Sequence, residues 1–118
     1  MQEVQTGSKL LPSYRKSDDA IVVPMRGEID LHNSPEVRKV LLGLLAKDPP
    51  KRLVLNLADV PYMDSSGIAV LVEALQKLRK TGGKIYLTNL QPRVKGLLEI
   101  ARLNTVFVVV ADEAEALK

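Results

Sequence analysis

The sequence predicts a single α/β domain: a mixed, mainly parallel sheet of four or five strands with helices gathered largely on one face. Three observations carry this. Apolar runs rich in β-branched residues alternate with segments of helical periodicity, the pattern of strands joined by helical crossovers. From residue 53 onward each pair of strands is separated by one helix, so right-handed crossovers are expected. The 118 residues suffice for one domain with a sizeable core and leave little room for a second.

Residues 1–13 are polar and lack periodicity. They read as a flexible N-terminal tail, with a first strand at Lys9–Leu11 or Ser13–Lys16, and residues 14–118 form the domain. Ala20–Met25 is a β-branched run and predicts a strand. Pro24 lacks a donor, which points to an edge strand or a bulge. Asn33 or Ser34 then caps a helix with Pro35 at its first position and Glu36 in its first turn. Val37, Val40, Leu41, Leu44 and Leu45 form its apolar stripe, and Pro49-Pro50 stops it. Leu53–Leu57 is the next strand.

A second helix starts at Ser65-Ser66-Gly67. Ile68, Leu71, Val72, Leu75 and Leu78 face the core, and Glu73 and Lys77 make an (i, i+4) pair on the wet side. Thr81-Gly82-Gly83 ends it. Lys84–Thr88 is a third strand, and Pro92 opens a short helix containing Val94, Leu97 and Leu98. Thr105–Val110 is the last strand, expected to be buried because Val106–Val110 is apolar throughout. Ala111–Leu117 closes the chain as an acidic-started helix.

Composition excludes several functions. There is no cysteine, hence no disulfide, thiolate catalysis or cysteine-bound metal. The single histidine, His32, rules out a site with two imidazoles. The net charge is +3 and the charges are evenly spread, with no basic cluster for nucleic acid. One phenylalanine, three tyrosines and no tryptophan offer few stacking platforms for single strands. The uncharged stretch Val40–Ala46 is far short of the roughly 18 residues of a membrane helix. No basic-then-apolar leader opens the chain. The expectation is a cytoplasmic protein that binds neither nucleic acid nor membrane.

Enzyme motifs fail on inspection. Met63-Asp64-Ser65-Ser66-Gly67 lacks the first glycine of a nucleophile elbow, and nothing fixes His32 beside Ser65. Gly82-Gly83-Lys84 follows a helix and precedes a strand, the reverse of a phosphate loop. Asp59 and Asp64 have no metal-ligand spacing.

One segment stands out, Leu53–Gly67. A buried strand feeds a short loop ending in two hydroxyls at a helix start, and ligands and modifications gather at such strand ends. Ser65 takes the position of an N-cap accepting from the amides of residues 67 and 68. On the residues alone it is either only a cap or a modified hydroxyl. Gly67 is a poor helix former that leaves the backbone open to close approach. Ala69, Val70 and Glu73 lie towards the Ser66 side, as peripheral core or as a small docking platform. The loop with Asp30, His32 and Asn33 is expected at the same end of the sheet as Ser65.

These blocks resemble the STAS-domain family and, within it, the bacterial anti-sigma factor antagonists. The resemblance runs over about residues 14–117. It is carried by Gly27-Glu28-Ile29-Asp30, by Leu55-Asn56-Leu57 with Met63-Asp64-Ser65-Ser66-Gly67, by Gly82-Gly83, and by Pro92 and Val94 before Leu97-Leu98. Ala69 departs from it, since many relatives have glycine there, and bears on which partner is accepted.

The resemblance implies that Ser65 is phosphorylated by a partner that is both serine kinase and anti-sigma factor. It implies that the unmodified form binds this partner and frees the sigma factor, and that a serine phosphatase restores that form. Asp30, His32, Asp64, Ser66, Gly67, Ala69, Val70 and Glu73 are the expected partner-binding residues. ATP belongs to the kinase, so this chain needs no cofactor. The alternatives are a STAS subunit of a larger transport or stress-signalling assembly, with Ser65 a static contact, and a small nucleotide-binding enzyme using Asp64 and Ser65.

Overall fold

In the computed structural model, which describes residues 1–118, six strands and four helices follow one another as β1 (Gln2–Gln5), β2 (Ser13–Lys16), β3 (Ala20–Arg26), α1 (Ser34–Leu44), β4 (Arg52–Asp59), α2 (Ser65–Arg79), β5 (Lys84–Thr88), α3 (Pro92–Ile100), β6 (Val108–Val110) and α4 (Glu113–Ala116). They make one sheet in the order β1-β2-β3-β4-β5-β6. The first two pairings are antiparallel; those from β3 to β6 are parallel. Strictly sequential order is what short crossovers of one hand produce.

The central strands are apolar on both faces because both are covered. Ile21, Val23, Leu53, Leu55, Leu57, Ile85 and Leu87 join the main core with α1, α2 and α3. Val22 and Val54 form a smaller cluster on the other face with Ala116 of α4. Three helices thus share one face, and one short helix covers the other.

Four expectations are corrected. Residues 1–13 are not a tail without structure: β1 pairs with β2, and Leu11 is completely buried. The sheet therefore has six strands: β2 is the Ser13–Lys16 strand that the sequence offered, and β1 adds one more. β3 is interior, not an edge. Its ladder with β2 covers only Ile21 and Val22, so Pro24 lies beyond the last pair and its missing N–H costs no ladder bond; the register with β4 shifts between Pro24 and Arg26, which is the bulge that Pro24 also predicted. The last strand is the edge instead of a buried strand. Phe107 is buried, but Val109 is 39% exposed, because β6 has a neighbour on one side only.

Polar groups fasten α4 to the back of the sheet. The Glu113 carboxylate accepts from Arg15 of β2 and from Asn56 Nδ2 of β4 at 2.7 Å. Burial opposes the charge on Glu113, yet the bonds from Arg15 and Asn56 win and hold its carboxyl below the usual range. Arg52 donates to the carbonyls of Ala116 and Lys118 at 3.3 and 3.1 Å.

Candidate functional site

β3 and β4 are parallel, so the loops that follow them emerge at one end of the sheet. These loops, residues 27–33 and 60–64, are joined to each other. Gly27 turns the chain with φ +89°, and its amide donates to the Asp59 carbonyl at 2.9 Å. Ile29 and Met63 form a parallel bridge, with Ile29 N–H on the Tyr62 carbonyl and Asp64 N–H on the Ile29 carbonyl, both at 3.0 Å. Asp30 and His32 therefore do lie at the Ser65 end of the domain.

In the first loop Asp30 and Asn33 are consumed by bonds within the loop, while the Glu28 and His32 side chains are exposed. Asp30 Oδ1 accepts from the amides of His32 (2.9 Å) and Asn33 (3.2 Å). Asn33 Oδ1 accepts from the Asp30 amide at 2.9 Å, and its Nδ2 donates to the Glu28 carbonyl at 2.8 Å. Asn33 precedes α1 but gives its side chain to the loop, so the helix start relies on the early proline.

The cap of α2 is Asp64, not Ser65 as the sequence suggests. Asp64 holds the extended conformation of a cap residue, with φ −98° and ψ −174°. Its Oδ1 accepts from Ser66 N at 2.9 Å, Gly67 N at 3.3 Å and Ser66 Oγ at 2.5 Å. The loop bond through the Asp64 amide fixes that residue outside the helix, which puts Ser65 in the first turn. The Ser66 hydroxyl bond is the main cause of a carboxyl lowered from its ordinary value; partial burial opposes it, and the amides of Ser66, Gly67 and Leu31 add to it. Asp64 is thus a carboxylate at neutral pH.

This separates the two serines. Ser66 is half-buried with its hydroxyl committed to Asp64. Ser65 is exposed, and its hydroxyl has no partner in the chain, because the aspartate has taken the capping role. No base contacts it: His32 engages Asp30 through its backbone.

The remaining expected residues divide. Ala69 is exposed beyond Ser65 on α2. Val70 is buried at 6% and belongs to the main core, so it forms no part of an open platform. Gly67 is buried too. A Cβ there would lie 2.5 Å from Met63 Cγ and 2.9 Å from Ile29 Cγ2. The glycine admits the two loops against the helix and does not open the backbone outward. Glu73 pairs with Arg38 of α1, through Nε at 2.8 Å and Nη2 at 2.7 Å, and not with Lys77 as its neighbour in the helix. That bond holds its carboxyl below the usual range.

The sequence reading passes over neighbours brought in from afar. Gln91 Nε2 donates to the Ala58 carbonyl at 2.6 Å, drawing the start of α3 to this end, and Arg93 lies 4.8 Å from the centre of the Tyr62 ring. No local pattern signals a contact across some 30 residues. Nor is any group of three or more His, Cys, Asp or Glu placed to hold a metal ion. No helix is long and apolar enough to cross a membrane.

Comparison with known proteins agrees with this geometry. Residues 12–116 match the STAS domain. The anti-sigma-B factor antagonist of Bacillus subtilis is 33% identical over 97 residues, 82% of this chain and 87% of that protein. Among solved structures, the unphosphorylated anti-sigma factor antagonist SpoIIAA superposes with a TM-score of 0.75 at 23% identity, covering 88% of this chain and 90% of that one. The phosphorylated form of the Bacillus cell fate determinant SpoIIAA does so at 0.70 and 21%, covering 88% and 94%. A match over nearly the whole length, on a shared fold and with the Asp-Ser-Ser-Gly turn at the head of a helix, places the chain in the STAS-domain family.

Proposed function

We propose that the chain is an anti-sigma factor antagonist whose unmodified form binds an anti-sigma factor and thereby frees the sigma factor. Phosphorylation of Ser65 by that partner, acting as a serine kinase, switches the binding off, and a serine phosphatase restores it. The observation that carries this is the Ser65 hydroxyl: exposed, without a partner in the chain, at the start of a rigidly held helix, beside a Ser66 whose hydroxyl is engaged. The similarity to named anti-sigma factor antagonists supports it. The role is binding, and the chemistry belongs to the kinase. The setting is the bacterial cytoplasm, where sigma factors act.

The geometry accounts for the switch. A phosphate brings about −1.5 to −2 charge. A helix start usually satisfies an anion with its free amides, but here Asp64 already occupies those of Ser66 and Gly67. The new charge therefore stands beside an existing carboxylate and projects outward. The fold keeps its cap and persists. A partner face shaped around a neutral hydroxyl meets added bulk and an uncompensated charge, which is costly to bury.

The test is phosphosite mapping by mass spectrometry after incubation with ATP and the serine kinases of the same genome, with binding measured in parallel. Phosphate is expected on wild type and on Ser66→Ala, and not on Ser65→Ala, which still binds. Phosphate on Ser66 alone overturns the site. Full binding by the Ser65-phosphorylated form overturns the switch and favours a static subunit of a larger assembly.

A further inference from the structure

Large apolar side chains with strong exposure are few here: Met1, Leu31 at 76%, Ile100 at 83% and Val109. Single exposed apolar residues are ordinary on a protein surface. Leu31 differs in how and where it is held. Ile100 ends α3, at the end of the sheet remote from Ser65, and Val109 sits on the edge strand. Leu31 lies in the 27–33 loop, on the Ser65 side.

That loop is locked. Asp30 and Asn33 exchange hydrogen bonds around Leu31, and Asn33 also ties back to Glu28. The Ile29–Met63 bridge fixes the loop to the segment that carries Asp64. Asp64 is the common element. Its carboxylate caps the helix that begins with Ser65, its amide binds the Ile29 carbonyl, and the Leu31 amide is among the donors that favour its charge. Leucine and serine are thus presented in one fixed relation. The Asp30 and Asn33 side chains are spent inside the loop; Glu28, Leu31 and His32 are exposed, and Leu31 is the one apolar side chain among them.

We propose that Leu31 is the apolar anchor of the docking face, entering an apolar pocket on the anti-sigma factor while the Ser65 hydroxyl lies at the rim of the same contact. This rests on the antagonist reading above and names the partner chemistry at that site. A loop whose backbone is already held needs no ordering of its own on binding, which leaves more of the burial as affinity. A few such anchors carry most of an interface's energy. The phosphate and the anchor then act apart: Leu31 supplies affinity in the unmodified state, and Ser65 decides whether the face can close.

The probe is the purified serine kinase of the same genome that binds the unmodified wild-type chain. Leu31→Ala is expected to weaken binding about tenfold or more, Leu31→Asp to reduce it further, and Leu31→Met to restore it to near wild type. Phosphorylation of Leu31→Ala at Ser65 should show a raised KM with kcat within about twofold, as for a docking residue outside the chemistry. The melting temperature of each variant should stay within about 2 °C, since the side chain is mostly exposed in the free protein. If no kinase binds the wild-type chain, the antagonist reading falls and the anchor with it. If wild type binds and phosphorylation releases it, while Leu31→Ala and Leu31→Asp bind within about twofold of wild type, the anchor alone is overturned.

Discussion

Replacing Gly67 by alanine sets two effects of known sign against each other. Alanine is favoured over glycine inside a helix by about 1 kcal/mol, so an open position would be stabilised. Here the added carbon would sit 2.5 Å from Met63 Cγ and 2.9 Å from Ile29 Cγ2, well inside contact distance. Met63 is 3% exposed and Ile29 1%, so neither has empty space to move into. The isoleucine is also stiff about its first torsion. Forcing a methyl into a packed region costs about 1–3 kcal/mol. The net expectation is a loss of about 1 kcal/mol, or about 4 °C in melting temperature for a domain of this size. Urea unfolding measures the loss. Because the strain falls on the Ile29–Met63 bridge, amide exchange at Ile29 and Asp64 should accelerate as well. A Gly67→Ala variant more stable than wild type by about 1 kcal/mol, with those amides unchanged, would refute the packing account and return the glycine to an outward-facing role.

Ser65→Ala should change folding stability by no more than about 0.5 kcal/mol, the range of an ordinary surface position, because Asp64 supplies the cap; a loss of 1 kcal/mol or more in denaturant unfolding would reassign the cap to Ser65. Asp64, Glu73 and Glu113 all have carboxyls lowered in the folded state. Their contribution is complete above the ordinary carboxylate range and is lost as the pH falls through the lowered values, so unfolding free energy should drop below about pH 4.5. Glu113→Gln should flatten that acid limb; an unchanged limb would exclude Glu113 as a contributor.

By itself the sequence determined the parallel α/β core, the helix starts at Pro35 and Pro92, the glycine turn after α2 and the position of the Asp-Ser-Ser-Gly segment. These rest on local causes: apolar period, ring-fixed φ angles and cap chemistry act between neighbours and are written in order along the chain. Tertiary structure decided where each strand lies in the sheet. Pro24 signalled an edge or a bulge; the β2–β3 ladder stops at Val22 and the register with β4 shifts just after Pro24, and the unbroken apolar run at Val106–Val110 came to lie at the edge for want of a neighbour. The same holds at the site. Either Asp64 or Ser65 could cap α2 by composition; the Ile29 carbonyl, 35 residues before Asp64, holds the aspartate outside the helix. Glu73 had Lys77 within reach on its own helix, yet Arg38 met it from α1 with two aligned donors. Gly67 read as an opening and is a close contact, because the side chains that fill its space arrive from two other loops. Contacts between distant segments depend on where the whole chain places its loops, and no local spacing encodes that.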